Sequence, residues 1–418
     1  MTEVAPPRGT QDVLPPASDA LLAVIDAAHD AARLHGYRYV ETPAFEHTEV
    51  FVRTSGGSSD VVTKEMYTFQ DKGGRSLTLK PESTAPVVRA YLAHRQALPS
   101  PFKAYYVEPN FRHGRPQAGR LRQFRVFGIE VLGTGAPGAD VEVIAVADRF
   151  LRGRSLSRLT LHLNSIGDEV CRPRFRDDLA AFLEGRADRL DREHRETWRR
   201  NPLRVLDCKS EECRAATEDA PRIIDYLDDA CRAHFDEVRA ALDEEGVAYE
   251  LDHRLVRGLD YYTRTTFEFL SGELSPAQAT VCGGGRYDGL AEVLGGEPTP
   301  GVGFGLGLDR LLLAMAEEGV AKEESRAVRC YVVALGDEAR RHGRALLREL
   351  REAGVPADAS LEDRPLKAQL RMADRSGASY AAILGEREVG EGAVTVRRLT
   401  DGQQETVPRS EVIAWLSR

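Results

Sequence analysis

Phe111-Arg-His-Gly-Arg-Pro-Gln-Ala-Gly-Arg-Leu-Arg-Gln-Phe-Arg125 joins two stretches that read as strands, 105–111 and 124–132. The loop carries five arginines, and no carboxylate occurs anywhere between positions 109 and 129. The chain as a whole has a net charge of −9, so this basic run is a local exception. A guanidinium grips phosphate oxygens with two parallel N–H donors, which suits such a loop at the lip of a sheet to a polyphosphate or an RNA end. Taken alone, an arginine run also fits an ordinary solvated surface loop.

Outward from this loop the periodicities predict a helix over 18–34, with Leu21, Leu22, Ile25, Ala28 and Ala32 at helical spacing behind a Ser18 cap. A strand is expected over 37–40, a hairpin over 66–79 turning at Gly73 and Gly74, and a helix over 84–94. From 171 to 245 the chain changes to dense charge on helical spacing, an inserted helical unit. Strand-like sequence returns at 249–251 and 265–270, followed by glycine-rich turns and a helix over 308–317. The polar run 321–327 reads as a linker. Beyond it, strands at 328–335, 380–384 and 393–397 alternate with helices at 338–352 and 365–376, the pattern of a small α/β domain. Residues 328–418 hold 15 basic and 14 acidic side chains, hence +1, which leaves −10 for the rest and makes the last domain the friendlier face for RNA.

A chain of 418 residues, 42% hydrophobic and 29% charged, has the composition of a globular protein too long for a single core. Apolar runs of membrane-spanning length are absent and the N-terminus lacks a signal peptide's apolar segment, so a cytoplasmic protein is expected. The six cysteines form no CxxC pair and the histidines do not stand beside them at zinc-ligand spacing. Reduced thiols and no metal site are the expectation.

Further candidate chemistry lies in four segments. Leu79-Lys-Pro-Glu82-Ser-Thr84 sets a carboxylate beside a hydroxyl where a strand passes into a helix, and Glu82 could hold an ammonium group. Leu255-Val-Arg257-Gly-Leu-Asp260-Tyr261-Tyr262 combines a cation, an acid and two phenols. Cys282-Gly-Gly-Gly-Arg-Tyr287-Asp-Gly offers backbone without bulk beside another phenol. Gly301-Val-Gly-Phe-Gly-Leu-Gly-Leu-Asp309-Arg310 reads as a glycine-rich strand entering a helix, with neither a phosphate-loop signature nor a strict GxGxxG.

Together these segments resemble the histidyl-tRNA synthetases, from Pro7-Arg-Gly-Thr-Gln-Asp12 to the C-terminus. The arginine loop is similar to the family's motif 2 and the glycine-rich end to its motif 3. The segments at 255–262 and 283–289 resemble two signatures peculiar to the histidine enzyme; Lys64-Glu-Met-Tyr-Thr-Phe and Asn201-Pro-Leu-Arg-Val-Leu-Asp-Cys-Lys are further family-like stretches. The resemblance implies an α+β, class II synthetase fold: an antiparallel sheet with flanking helices in a catalytic domain over 1–170 and 246–320, a helical insertion over 171–245, and a C-terminal α/β anticodon-binding domain over 328–418. It implies histidine-tRNA ligase activity with ATP, Mg²⁺, histidine and tRNA(His) as substrates and partners, in a homodimer.

By the same resemblance, Arg112 and Arg310 grip the α- and γ-phosphates, Arg120 and Gln123 help seat ATP, and Arg257 lies beside the α-phosphate, with Arg112 and Arg257 catalytic. Glu82 and Thr84 receive the substrate's ammonium, Glu130 and Tyr262 bond the two imidazole nitrogens, and Tyr261 and Tyr287 line the pocket that Arg112 and Arg257 close from the phosphate side. Val126 departs from the family, which usually has Gln there, near the ammonium. Its place on one strand face with positions 128 and 130 predicts that it lies on the pocket wall. The competing reading is a synthetase-like regulatory paralogue, such as the subunit that supports ATP phosphoribosyltransferase. The presence of Arg112, Arg257, Arg310 and a full last domain argues against it.

Overall fold

The structure, a computed structural model, describes residues 4–54, 65–256, 261–276, 278–321 and 328–417. It divides into two compact units, Met1–Lys322 and Glu323–Arg418. Most of the linker expected at 321–327 lies outside the described residues, as does Arg257.

The first unit opens with α1 (Ala17–Leu34), β1 (Arg38–Tyr39), β2 (Phe45–His47) and α2 (Thr48–Thr54). It continues through β3 (Tyr67–Gln70), β4 (Ser76–Leu79), α3 (Thr84–His94), β5 (Phe102–Phe111), β6 (Gln123–Leu132), α4 (Pro137–Gly153) and β7 (Leu159–Ser165). A helical stretch follows: α5 (Arg172–Glu184), α6 (Arg192–Thr197), α7 (Leu203–Leu206), α8 (Glu211–Ala216) and α9 (Asp229–Glu244). The unit closes with β8 (Glu250–Leu251), β9 (Thr263–Ser271), β10 (Thr280–Arg286), α10 (Leu290–Val293), β11 (Gly301–Gly307) and α11 (Leu308–Glu317).

Eight of these strands form one sheet in the order β1-β5-β6-β11-β10-β9-β7-β8. Its six central strands are antiparallel, and only the two-residue strands at its edges, β1 and β8, pair in parallel. A separate antiparallel sheet, β2-β4-β3, contains the hairpin expected at 66–79. Helices α1, α4, α9 and α11 cover the large sheet. In α1, Leu21, Val24, Ala28 and Ala32 are buried three to four residues apart, so one stripe faces the core. The cap expected at Ser18 is not formed: the helix begins a residue earlier, behind Pro16, with no side-chain cap, and Ser18 sits in its first turn.

Two further readings are corrected. The glycines at 283–285 are not a turn but the middle of a central strand, β10, paired on both sides. Local composition suggests a turn, whereas tertiary packing explains the strand. A Cβ on Gly284 would overlap the Gly303 carbonyl and crowd the Phe267 ring, and one on Gly303 would overlap the Glu130 carboxylate. The stretch 171–245 is also not one helical unit. Its first part, through Ile223, packs around Phe175, Leu179, Trp198, Val205 and Cys213 as a satellite core. Helix α9, in contrast, buries Cys231, Phe235, Val238 and Leu242 in the main core.

At the end of β10, Arg286 is fully buried. Its guanidinium forks onto Asp140 near the start of α4, and it also donates to the carbonyls of Thr134 (3.1 Å) and Ala136 (3.2 Å) and to Asp288 (3.0 Å). His234 on α9 stands 3.4 Å from the same Asp140. One cation thus ties the sheet to the helices that cover it.

The second unit contains β12 (Cys330–Ala334), α12 (Asp337–Glu352), β13 (Ala357–Ala359), α13 (Leu366–Arg375) and β14 (Tyr380–Leu384). Then come α14 (Glu386–Glu391), β15 (Ala393–Arg398), β16 (Gln404–Pro408) and α15 (Val412–Leu416). Its five-stranded sheet runs β13-β12-β14-β15-β16, with the first three strands parallel and the last two antiparallel to their neighbours.

Candidate functional site

A cavity of about 400 Å³ opens over β5, β6, β10 and β11, beneath the arginine loop. Strand alternation delivers its floor. Phe124 and Val126 of β6 both line it, and Gly305 and Gly307 do so from β11. The start of α3 supplies Glu82, Ser83 and Thr84, and the chain after the undescribed residues 257–260 supplies Tyr261 and Tyr262.

Glu82 is fixed by the helix it precedes. Ser83 makes no side-chain cap on α3; instead the Glu82 carboxylate accepts the N–H of Thr84 at 2.7 Å and of Ala85 at 3.2 Å. A carboxylate at a helix N-terminus is stabilised by the unpaired N–H groups there. Burial nevertheless pushes its pKa above the usual carboxylate range, because it outweighs those bonds and the nearby Arg112. A cationic group reaching Glu82 would relieve that cost.

Three arginines share the other side of the cavity: Arg112, Arg120 and Arg310. Arg112 is held by the Pro81 carbonyl at 2.8 Å and lies over the Phe124 ring, its carbon 5.5 Å from the centroid. Arg310 donates to the carbonyls of Thr280 (2.7 Å) and Gly119 (3.3 Å). Arg120 pairs with Glu65 at 2.6 Å. Burial lowers the pKa of Arg310, and repulsion from Arg120 and Arg112 lowers it further, so the three charges act on one another across the cavity. Converging cations in a dehydrated cleft are a receptor for several negative charges at once.

Behind the opposite wall lies a buried hydroxyl cage. Glu130 is fully buried and accepts from Thr84 Oγ1 at 2.8 Å, from Tyr106 Oη at 3.1 Å and from Tyr287 Oη. Burial raises its pKa to about 8, against the three hydroxyl donors that favour the anion. Tyr261 stacks near Tyr262, centroids 4.8 Å apart, and meets Tyr287 edge-on at 5.9 Å.

The placement of the expected site residues follows. Glu82, Thr84, Arg112, Arg120, Val126, Tyr261, Tyr262 and Arg310 line the one cavity. Glu130 and Tyr287 are not among its lining residues; Glu130 shares the face of β6 with Val126 but lies deeper, covered by Thr84 and Tyr106, which both bond it. Gln123 is also not a lining residue. It is exposed at the first position of β6, and alternation points it away from the face that Phe124 and Val126 share. Sequence reasoning missed Tyr106, Asn110, Lys209 and Asp309 on the wall. Alternation in β5 was the available signal for Tyr106 and Asn110, whereas Lys209 and Asp309 stand in segments singled out for their resemblance but were given no role there.

The Glu130 cage makes a pH prediction. The folded state retains the Glu130 proton up to about pH 8, whereas the unfolded chain releases it near the ordinary carboxylate value of 4.5. Between these values the folded state binds more protons, so the contribution of this group to stability falls as pH rises through that window. Glu130→Gln should flatten the fall in melting temperature between pH 5 and 8. An unchanged slope would mean that Glu130 is not the group responsible.

Comparison with known proteins is consistent along the chain. Residues 9–311 match the family model described as histidyl-tRNA synthetase, and residues 329–418 match the model described as anticodon binding domain. The chain is 48% identical to the histidine–tRNA ligase of Rhodococcus opacus, covering 98% of this chain and 96% of that one. It is 44% identical to the histidine–tRNA ligase of Halothermothrix orenii, covering 98% of each. Among solved structures, the apo histidyl-tRNA synthetase of S. aureus superposes with a TM-score of 0.82 at 35% identity, covering both chains fully.

Proposed function

The chain belongs to the histidyl-tRNA synthetase family, and from that premise we propose that the cavity beneath the arginine loop is where it joins histidine to ATP. Its activity is that of a histidine–tRNA ligase: histidine and ATP give histidyl-adenylate and pyrophosphate, and histidine then passes to the 3′ end of tRNA(His). The regulatory-paralogue reading finds no support in full-length relatives that are ligases.

One observation carries the placement: three arginines on one side of a single cavity face the Glu82 carboxylate and three phenols, those of Tyr106, Tyr261 and Tyr262, on the other. In this reading Arg112, Arg120 and Arg310 bind the triphosphate, with Arg112 on the α-phosphate and Arg310 on the γ-phosphate, and Arg257 completes the α-phosphate contact. Glu82 and Thr84 hold the ammonium. Tyr262 meets the imidazole directly, while Glu130 acts on it through the hydroxyls of its cage. The histidine carboxylate oxygen attacks the α-phosphorus, the bond to the pyrophosphate oxygen breaks in line, and pyrophosphate leaves. The terminal ribose hydroxyl of tRNA then attacks the adenylate carbonyl, and AMP leaves. Mg²⁺ brought with ATP would offset phosphate charge, while Glu82 and Asp309 on the wall are each held by a backbone N–H.

The functional boundaries we assign are 1–170 with 246–320 for catalysis, 171–245 for the insertion, whose last helix α9 packs into the catalytic core, and 328–418 for the anticodon, in a cytoplasmic homodimer. No described helix is long and apolar enough to cross a membrane. Histidine-dependent exchange of pyrophosphate into ATP tests the assignment; a folded chain without it would remove the cavity's proposed role.

Val126 gives a sharper test. It is buried on the cavity wall that Glu82 and Thr84 also line, and its side chain offers only methyl groups. Adding an amide there should supply roughly the 1 kcal/mol of an ordinary hydrogen bond to histidine. Val126→Gln is therefore expected to lower the KM for histidine severalfold with little change in that for ATP. A rise would show that the wall is arranged around the valine.

A further inference from the structure

Four side chains of the helical stretch converge although the sequence keeps them apart. Asp191, His194, Cys208 and Cys213 each place a ligand atom within 4.8 Å of the others. They come from the N-terminal turn of α6, the turn after α7, and α8. Asp191 caps α6 by accepting the His194 N–H at 2.8 Å, and its two oxygens stand 2.9 and 3.1 Å from His194 Nδ1. Cys208 Sγ donates to Asp191 Oδ2 at 3.0 Å, and Ser210 Oγ donates to the same oxygen at 3.1 Å.

Two further observations concern the sulfurs. Each accepts a backbone N–H at 3.5 Å, Cys213 from Asp191 and Cys208 from Ser210, so the two sulfurs and the Asp191–His194 pair are held in one hydrogen-bonded cluster. Arg254 is close enough for both cysteines to act on its charge, and its buried Nη2 has no hydrogen-bond partner among the described residues. A net negative centre at the cysteines would complement that guanidinium.

The geometry points to a structural zinc site in which Cys208 Sγ, Cys213 Sγ, His194 Nδ1 and one Asp191 oxygen bind Zn²⁺. Two sulfurs, an imidazole and a carboxylate suit zinc, whereas Mg²⁺ and Ca²⁺ require six or more oxygens. Tetrahedral zinc with these ligands has edges of about 3.3 to 3.8 Å, so the widest separations in the present cluster contract by at most about 1.5 Å and the closest open by about half an ångström. Binding releases the two thiol protons, and His194 keeps its proton on Nε2. The charge of the filled centre is −1, opposite to Arg254. The Ser210 hydroxyl remains on the Asp191 carboxylate and orients it. The side chains of Asp191 and His194 are 21% and 16% exposed, which gives the ion a way in.

The other cluster of this kind among the described residues, Asp168, Cys171, Asp228 and Cys231, is the poorer candidate. It lacks an imidazole, and Asp168 already accepts from Val170 N and Cys231 Sγ and faces Arg264 at 3.7 Å.

The site explains how the satellite core holds together. Helices α6, α7 and α8 have six, four and six residues, too few to persist by themselves. A metal that links them stabilises the fold directly, as in other small metal-bound units. It also anchors Lys209, the residue after ligand Cys208, whose side chain lines the cavity and donates to the Pro276 carbonyl at 3.2 Å.

The test uses the full chain. Protein made in zinc-supplemented medium should contain about one zinc per chain by elemental analysis, and the chelated chain should develop thiolate-to-cobalt and tetrahedral cobalt bands on addition of Co²⁺. Cys213→Ser and His194→Ala should each cut the zinc content below about a tenth, while Cys171→Ser with Cys231→Ser retains it. Ser210→Ala should weaken zinc binding about 10- to 100-fold. If Cys213→Ser does not fold, His194→Gln, on the open side of the cluster, carries the same test. A wild-type chain with neither zinc nor cobalt bands overturns the inference, as does full zinc content in a folded His194 variant.

Discussion

Replacing Arg112 by alanine is expected to slow histidine-dependent ATP–pyrophosphate exchange by about 10² to 10³-fold, the usual effect of removing one fixed donor from charge that grows in a transition state. The geometry makes Arg112 suited to that role. Its guanidinium is already oriented by the Pro81 carbonyl and the Phe124 ring, so little reorganisation is needed when substrate arrives. Burial lowers its pKa from that of a free arginine, although Glu65 and Glu82 act in the other direction, so its charge stands in a poorly solvated place where a phosphate is a strong partner. Arg112→Lys keeps the charge but not the planar fork and should lie between the two. The loss should fall mainly on kcat, with the melting temperature close to wild type. Exchange within a factor of two of wild type for Arg112→Ala would remove this residue from the chemistry.

The largest stability effect is expected at Arg286. Arg286→Ala leaves Asp140 buried without its cation and removes the donor to the Thr134 and Ala136 carbonyls. Breaking a buried pair from one side costs about 3 to 5 kcal/mol, because the remaining charge stays desolvated. For a unit of this size that lowers the melting temperature by roughly 4 to 7 °C. Removing both partners separates the pair from its desolvation: Arg286→Met with Asp140→Leu should recover part of the loss, since no charge is left buried. A melting temperature within about 2 °C of wild type for Arg286→Ala would show that water or a shifted side chain replaces the guanidinium.

Much of this arrangement was legible in the sequence where the signal is local. Helix α3 spans 84–94 as its pattern predicts, and β14 spans 380–384, because a run of apolar residues between turn formers needs no distant information. The failures share a physical cause. Ser18 is a good cap by composition, yet the two prolines before it let the helix start earlier. Helix α9 has the same charge density as α5, and only its partners tell them apart. Strands β13 and β16 are short edges, with too few apolar residues to stand out.

The site divides in the same way. Motif residues that touch the cavity, such as Glu82, Arg112 and Arg310, were recognised from their segments, and the structure gathers them. Glu130 belongs to a recognisable motif, but its depth behind Thr84 and Tyr106 depends on how three strands pack. Likewise, Asp191 and Cys213 look unrelated until the short helices fold around them.

The glycines at the centre of the large sheet also bear on how the protein folds. Strands β10 and β11 pair Gly283 with Gly305 and Gly285 with Gly303, and set Gly284 opposite Phe304, so the innermost strand pair has few side chains with which to recognise itself. Glycine loses more backbone freedom on ordering than any other residue, about 0.5 to 1 kcal/mol relative to alanine at each position. That pair is a poor nucleus. The ten-residue partners β5 and β6, rich in aromatic and β-branched residues and joined through a single loop, are a far better one. The sheet should therefore close from its flanks inward, with the centre joining last. Ile129→Val in β6 should then slow refolding, while Val281→Ala and Val302→Ala in the glycine strands should act almost wholly on the unfolding rate.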